Sequence, residues 1–281
     1  LPTNKKRHLK MTHRYPLVDI KDTPPADPRP GIGAEVRVAI GGHNDSPTAA
    51  IHWTASPGGG FAPYINRGCE EIVYYLSGGG TDGNDTVGAG HCRAIPKGTA
   101  HSYANPSDEE TTTAVSFLIG AADFDQSEHE LLEGQASEDD QSILVHVDDV
   151  TPENMAKGDG WLISDFRLPF GAHNGCSSTL FRARFLPGAV HKKHTHEACD
   201  EIYYVISGHG LAGAGDDRVE VRGGQFHYIP KGVEHWLHNL SDTDPIEVVG
   251  VYIGAGTVAE TEYTYKGDVT EQDLVARTGG S

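Results

Sequence analysis

Cationic side chains are scarce in this chain. Lys and Arg number 22 against 40 Asp and Glu, a formal net charge of −18. A nucleic-acid partner needs a basic face to meet phosphates, so none is expected. Docking on an anionic membrane is disfavoured for the same reason. Apolar runs are short, and none approaches the ~20 residues of a membrane-spanning helix. The four cysteines, Cys69, Cys92, Cys176 and Cys199, include no C-x-x-C pair and lack the spacing of a disulfide framework. They read as reduced thiols of a cytoplasmic protein. The N-terminus carries Lys5, Lys6, Arg7 and Lys10 but no apolar core, which excludes a secretory signal there. Residues 1–15 read as a basic arm, or else the first ten are an addition ahead of a natural start at Met11.

Long amphipathic helical patterns are also missing. What is present is turn chemistry: 35 Gly and 16 Pro punctuate short β-branched and aromatic runs. Examples are Glu71 to Leu76, Thr112 to Ile119, Leu180 to Leu186, Glu201 to Ile206 and Glu247 to Ile253. Many short strands at this spacing predict an all-β sandwich or barrel.

The chain is also a repeat. Cys69 to Gly78 (CEEIVYYLSG) aligns with Cys199 to Gly208 (CDEIYYVISG), with Glu71 and Glu201 standing 130 apart. Gly90 to Asn105 (GHCRAIPKGTAHSYAN) aligns with Gly224 to Asn239 (GQFHYIPKGVEHWLHN), 134 apart, so the intervening turn is four residues longer in the second copy. Even the lead-ins echo, Leu17-Val18-Asp19 with Leu144-Val145-His146. These offsets predict a first unit over 16–124 and a second over 142–265, joined by an acidic linker over 125–141. A short helix is expected around Glu128 to Glu133, and 266–281 is read as a tail.

In the second copy, His194-x-His196 precedes Glu201, and Pro230-x-Gly232 precedes His235. Two histidines two apart on a strand share a face. Glu201 opens the next strand, and His235 follows a turn. Three imidazoles and a carboxylate can then converge inside a barrel and hold one divalent transition metal, leaving one or two octahedral positions open.

These two blocks resemble the two motifs of the cupin superfamily, and their duplication resembles a bicupin. The resemblance implies two tandem double-stranded β-helix (jelly-roll) barrels, with His194, His196, Glu201 and His235 binding one metal: iron first, with manganese, nickel, copper or zinc as alternatives. In the first copy Tyr64 and Asn66 stand where His194 and His196 stand in the second, while Glu71 and His101 remain. The first barrel is therefore expected to be structural, with a weak site from Asn66, Glu71 and His101 as the alternative.

Around the metal, strand alternation places Tyr203 and Val205 on the face of Glu201. Tyr203 is a candidate to hydrogen-bond a substrate, or else a core aromatic. His191 is a candidate acid, base or orienting group at the barrel mouth, or else part of a solvated turn with Lys192 and Lys193. Arg182 and Arg184 would clamp a carboxylate if inward and are surface charges if outward. Cys199, matched by Cys69, reads as turn packing. The resulting expectation is a dioxygenase-like oxidoreductase acting on a small-molecule substrate, with a homodimer as a further option. The alternatives are a redox-neutral isomerase, lyase or decarboxylase, and a non-catalytic metal-stabilised binding protein.

Overall fold

A computed structural model describes residues 15–26, 31–133, 141–154, 163 and 165–275. The first 14 residues of the expected basic arm and residues 134–140 of the acidic linker lie outside the described residues. The first half contains β1 (Leu17–Asp19), β2 (Gly31–Ile40), β3 (Ala49–Asn66), β4 (Glu70–Ser77) and β5 (Gly79–Asp82). It continues through β6 (Asp85–Gly88), β7 (His91–Ile95), β8 (Ala100–Ala104), β9 (Thr112–Ile119) and β10 (His129–Leu131). The second half contains β11 (Ile143–His146), β12 (Asp165–Phe170), β13 (Thr179–Phe185), β14 (Val190–His196), β15 (Asp200–Ser207) and β16 (His209–Ala214). It ends with β17 (Asp217–Arg222), β18 (Gln225–Ile229), β19 (His235–His238), β20 (Ile246–Ile253) and β21 (Tyr263–Gly267). Among the described residues the only helices are three-residue 3-10 turns, and none is long or apolar enough to cross a membrane.

The second half folds into two sheets, ordered β1-β18-β15-β20-β13-β12 and β17-β16-β19-β14-β21. Its counterpart in the first half is one continuous sheet, because the long β3 spans what β13 and β14 do separately: β3 pairs with β2 and β9 early, then with β8 and β10. The all-β, double-stranded β-helix expectation matches this architecture. Each Ser-Gly that closes the first motif enters the next strand with positive φ, 70° at Gly78 and 83° at Gly208. That region is open to glycine at little cost, which explains the repeat of Gly at both turns.

The apolar runs are near-continuous because their strands are buried on both faces. On β4, Val73 and Tyr75 fill the first barrel while Ile72 and Tyr74 join a core between the barrels. On β15, Tyr203 and Val205 fill the second barrel while Ile202 and Tyr204 meet that same shared core. Ile40, Val115 and Phe117 from one half pack there with Leu180, Phe226 and Val251 from the other.

The two lead-in strands cross over. β1 pairs with β18 of the second half, Leu17 opposite His227, whereas β11 pairs with β7 of the first half, Val145 opposite Cys92. Ile20 N–H donates to Gly224 O at 3.0 Å, and its counterpart Val147 N–H donates to Gly90 O at 2.8 Å. Each half therefore supplies a strand to the other's sheet.

The helix expected around Glu128 to Glu133 is not formed. His129–Leu131 is a strand antiparallel to the end of β3, His129 opposite Asn66 and Leu131 opposite Tyr64. A helix this short has no turns over which to recover its nucleation cost, whereas the free edge of β3 supplies ladder hydrogen bonds at once. The tail after Tyr265 is used as well. Asp273 pairs with Lys193 and Arg218, each at 3.1 Å, which fastens the segment beside β14.

Candidate metal centre

Two residues of β14, one of β15 and one of β19 converge in the second barrel. His194 and His196 point to the same side of β14, as their separation of two requires. His194 lies opposite His235 in the β14–β19 ladder. The Pro230-Lys231-Gly232 turn is held by Gly232 N–H donating to His196 O at 2.7 Å, which sets the start of β19 beside the histidine pair. Glu201 is the second residue of β15. One ligand atom from each of His194, His196, Glu201 and His235 falls within 4.8 Å of every other, and all four residues are buried. All four predicted ligands are thus brought together.

The geometry fits a metal ion on its donor chemistry. His194 Nδ1 lies 2.6 Å from Lys192 O and His235 Nδ1 lies 2.9 Å from Val233 O. A carbonyl oxygen only accepts, so both Nδ1 atoms carry the proton and both Nε2 atoms present a lone pair to the cluster. The Glu201 carboxylate sits 3.1 Å from His235 Nε2 and 3.3 Å from His196 Nε2. Burial keeps His194 and His196 below the ordinary histidine value, so their rings are neutral. Burial pushes the Glu201 carboxyl up, but the imidazoles of His196 and His235 beside it outweigh that and hold it below the usual carboxylate range. Neutral imidazoles and an ionised carboxylate are the states that ligate a divalent cation.

A cavity adjoins the cluster at Glu201 and His235. Phe166, Phe181, Phe185, Tyr203, Val248 and Tyr252 supply most of its wall, with His191 at the cluster end. His191 is not part of a solvated turn at the barrel mouth. It is buried on β14, and its ring stacks on His194 at 3.8 Å between centroids. The reason is a register irregularity in β14 between His191 and His194, which puts residues three apart on one side. Lys192 and Lys193 leave for Asp268 and Asp273 at 2.7 and 3.1 Å. Tyr203 lines the cavity as alternation requires, with its hydroxyl hydrogen-bonded to His227 Nδ1 at 2.8 Å.

The open question about the arginines is closed by β13. Phe181, Ala183 and Phe185 face the cavity, so Arg182 faces away and pairs with Asp165 and, at 2.8 Å, with Glu247. Two aromatic neighbours had no local signal in the sequence. Tyr263 of β21 stacks on His194 at 4.9 Å, and Tyr252 of β20 lies 4.9 Å from the His196 ring. Both arrive through long-range pairing.

The corresponding place in the first barrel is a hydrogen-bonded cluster. Tyr64 hydroxyl and Asn66 Nδ2 donate to the same Glu71 oxygen at 3.0 and 2.9 Å. His101 bridges the Tyr64 hydroxyl and Asp82, and Tyr75 donates to Asp82 at 2.6 Å. Arg93, also buried, lies 3.4 Å from Asp82. Protein donors therefore meet the carboxylate where the second barrel aims imidazole lone pairs.

Comparison with known proteins agrees with this architecture. A cupin-domain family model matches residues 181–252, the stretch carrying His194, His196, Glu201 and His235. The oxalate-binding protein of Thermotoga maritima is 28% identical over 114 residues, 40% of this chain and 93% of that protein. Among solved structures, a mutant of the Bacillus subtilis oxalate decarboxylase superposes with a TM-score of 0.69 at 15% identity. That match covers 89% of this chain and 78% of the other. Residues 181–252 thus match a cupin domain, and the chain as a whole has a two-barrel fold like that of the bicupins. The Lactobacillus farciminis oxalate decarboxylase, in its formate complex, resembles this chain with a TM-score of 0.64 at 13% identity, covering 86% of each chain. At such identities the two structures establish the common fold.

Proposed function

We propose that this bicupin is a metal-dependent enzyme whose second barrel, over 142–265, acts on a small organic acid. In this reading the first barrel, over 16–124, is a structural partner. The observation that carries the proposal is the buried convergence of His194, His196, Glu201 and His235 beside a cavity. When bound there, a divalent ion would supply Lewis-acid polarisation of a substrate oxygen. His194 and His235 hold their Nε2 atoms toward it through their backbone hydrogen bonds. Glu201 supplies the one negative charge, and the apolar wall keeps water from the reacting bond. Tyr203, tied to His227, shapes the wall, and His191 orients ligand at the cluster end.

The reaction class best supported is redox-neutral decarboxylation, a lyase reaction, because decarboxylases share the whole two-barrel fold. Manganese is the favoured ion, in line with the Mn(II) centres named for the Bacillus subtilis oxalate decarboxylase. A dioxygenase-like reaction at iron is the second reading, favoured by the aromatic wall, into which a nonpolar gas partitions readily. The buried cysteine thiols support a reducing compartment such as the cytoplasm.

The test is turnover of a panel of small carboxylates by Mn-loaded protein under argon, following CO2 release, beside O2 uptake by Fe-loaded protein. Metal-dependent CO2 release without O2 supports the lyase. Turnover that requires and consumes O2 replaces it with the oxygenase.

A further inference from the structure

Strand β21 lies against the two histidines of β14. β14 runs between β19 and β21, and among the described residues β21 is the last strand of that sheet. His196 stands opposite Tyr263 in the ladder and His194 opposite Tyr265. The Tyr263 ring lies 4.9 Å from the His194 ring and 6.2 Å from the His191 ring, at interplanar angles of 25° and 2°. His191 in turn stacks on His194 at 3.8 Å and 24°. His194 therefore sits in a group of three near-parallel rings, and it cannot swing its Nε2 off a bound ion without moving one of them. Behind β21 the chain is fastened by charge. Asp268 pairs with Lys192 at 2.7 Å. Buried Asp273 accepts from Lys193 and Arg218, each at 3.1 Å, and from Thr270 N–H and Oγ1 at 2.9 and 2.8 Å.

An ion reaching the cluster through the cavity meets Phe166, Phe181, Phe185 and Tyr252, and a hydrated cation is poorly solvated against such a wall. On the other side stands β21. It has five residues, none of them fully buried. Short edge segments with exposed backbone open locally at far lower free energy than central strands. Lifting β21 takes Tyr263 off His194 and leaves the strand of His194 and His196 facing water, while β19 still holds His235 beside it. We propose that β21, with its Asp273 anchor, is a clasp over the metal centre: its local opening admits and releases the ion, and its closure retains it. This rests on the metal-site reading above. Asp273 is then a positioning residue, acting on the ligand strand through Lys193, the neighbour of His194. The first barrel has an equivalent strand in β10, with His129 opposite Asn66 as Tyr263 is opposite His196. That strand carries the exposed pair Arg67–Glu130 at 2.6 Å.

The experiment loads full-length protein with Zn(II), desalts it, and follows release to a colorimetric chelator at about pH 7 without denaturant. Uptake of Zn(II) by the metal-free protein is timed in parallel, and urea midpoints confirm that each variant is folded. Asp273→Asn is expected to release and to take up Zn(II) at least about ten-fold faster than the native protein, because one opening serves both directions. Its stoichiometry should stay at about one. Tyr263→Ala should behave in the same way. Glu130→Gln, the counterpart change on β10, should keep the native rates. Native rates in Asp273→Asn overturn the clasp. Faster release with unchanged uptake also overturns it, since Asp273 then only stabilises the bound state. Equal acceleration by Glu130→Gln does so too, since it marks general loosening. If the native protein retains no Zn(II) after desalting, the metal reading itself fails and the clasp with it.

Discussion

Asn239 shows how one side chain holds the strand of a candidate metal ligand in place. It is buried, and its Nδ2 donates to Phe185 O, Leu186 O and Asp244 O at 3.1, 3.1 and 2.8 Å, while its Oδ1 accepts from Ser241 N–H at 3.0 Å. Asn105 makes the equivalent set in the first barrel, to Ala55, Ser56, Glu110 and Ser107. The asparagine that closes the second motif of each copy is therefore a staple joining the end of one strand to the following loop. Asn239→Ala strips buried carbonyls of their donor and should cost about 2–4 kcal/mol, read as a lowered urea midpoint. A loss under about 0.5 kcal/mol would show that water replaces the side chain. Among charged residues, the clearest pH dependence belongs to His52 on β3, beside Tyr204 at 6.1 Å across the barrel interface. Burial, then the charge of Arg37, brings it down to about 4. The unfolded chain takes up that proton near pH 6.5 and the folded chain only near 4. Its contribution is therefore complete above pH 6.5 and falls away as pH drops through this window, by up to about 3 kcal/mol. Unfolding midpoints measured from pH 7.5 to 4.5 should fall in the native protein and fall less in His52→Gln.

At the scale of strands, the crossed lead-ins make a reciprocal prediction. Val18 sits on β1 and packs on the shared core, but its ladder is to β18 of the other half. Val18→Asp should raise hydrogen exchange of the β18 amides, around Phe226 to Tyr228, and leave β7 protected. Val145→Asp should do the reverse, exposing β7 around Cys92. Exposure within the same half of the chain would contradict the exchange. This crossing was not legible beforehand. The echo of Leu17-Val18-Asp19 in Leu144-Val145-His146 marked equivalent strands, but three or four residues carry no information on which sheet they join. The convergence of His194, His196, Glu201 and His235 was legible because strand parity and a Pro-x-Gly turn are local properties. Tyr203 followed from the same parity. His191 did not, since parity fails across the irregularity in β14, and Tyr252 and Tyr263 reach the cluster only through distant pairing. The short helix expected near Glu128 failed for a related reason: composition marked a solvated segment but not the open edge of β3 beside it.

The whole molecule is two barrels sharing a third core, which ties the half with the His/Glu cluster to its partner. With Ile40, Ile72 and Phe117 packed against Leu180, Ile202 and Phe226, neither half buries its apolar surface alone. Repetition of the motifs made the two-barrel plan readable, and the loss of imidazoles at Tyr64 and Asn66 made the asymmetry readable. The first barrel spends its equivalent position on hydrogen bonds among Tyr64, Asn66, Glu71 and His101, and the second presents lone pairs. The most direct measurement of that asymmetry is metal content by mass spectrometry after loading with a divalent cation and desalting. It is made on the native protein and on His194→Ala and His101→Ala. About one equivalent in the native protein and in His101→Ala, lost in His194→Ala, is the predicted result. About two equivalents in the native protein, or loss of metal in His101→Ala with retention in His194→Ala, would contradict a single site in the second barrel.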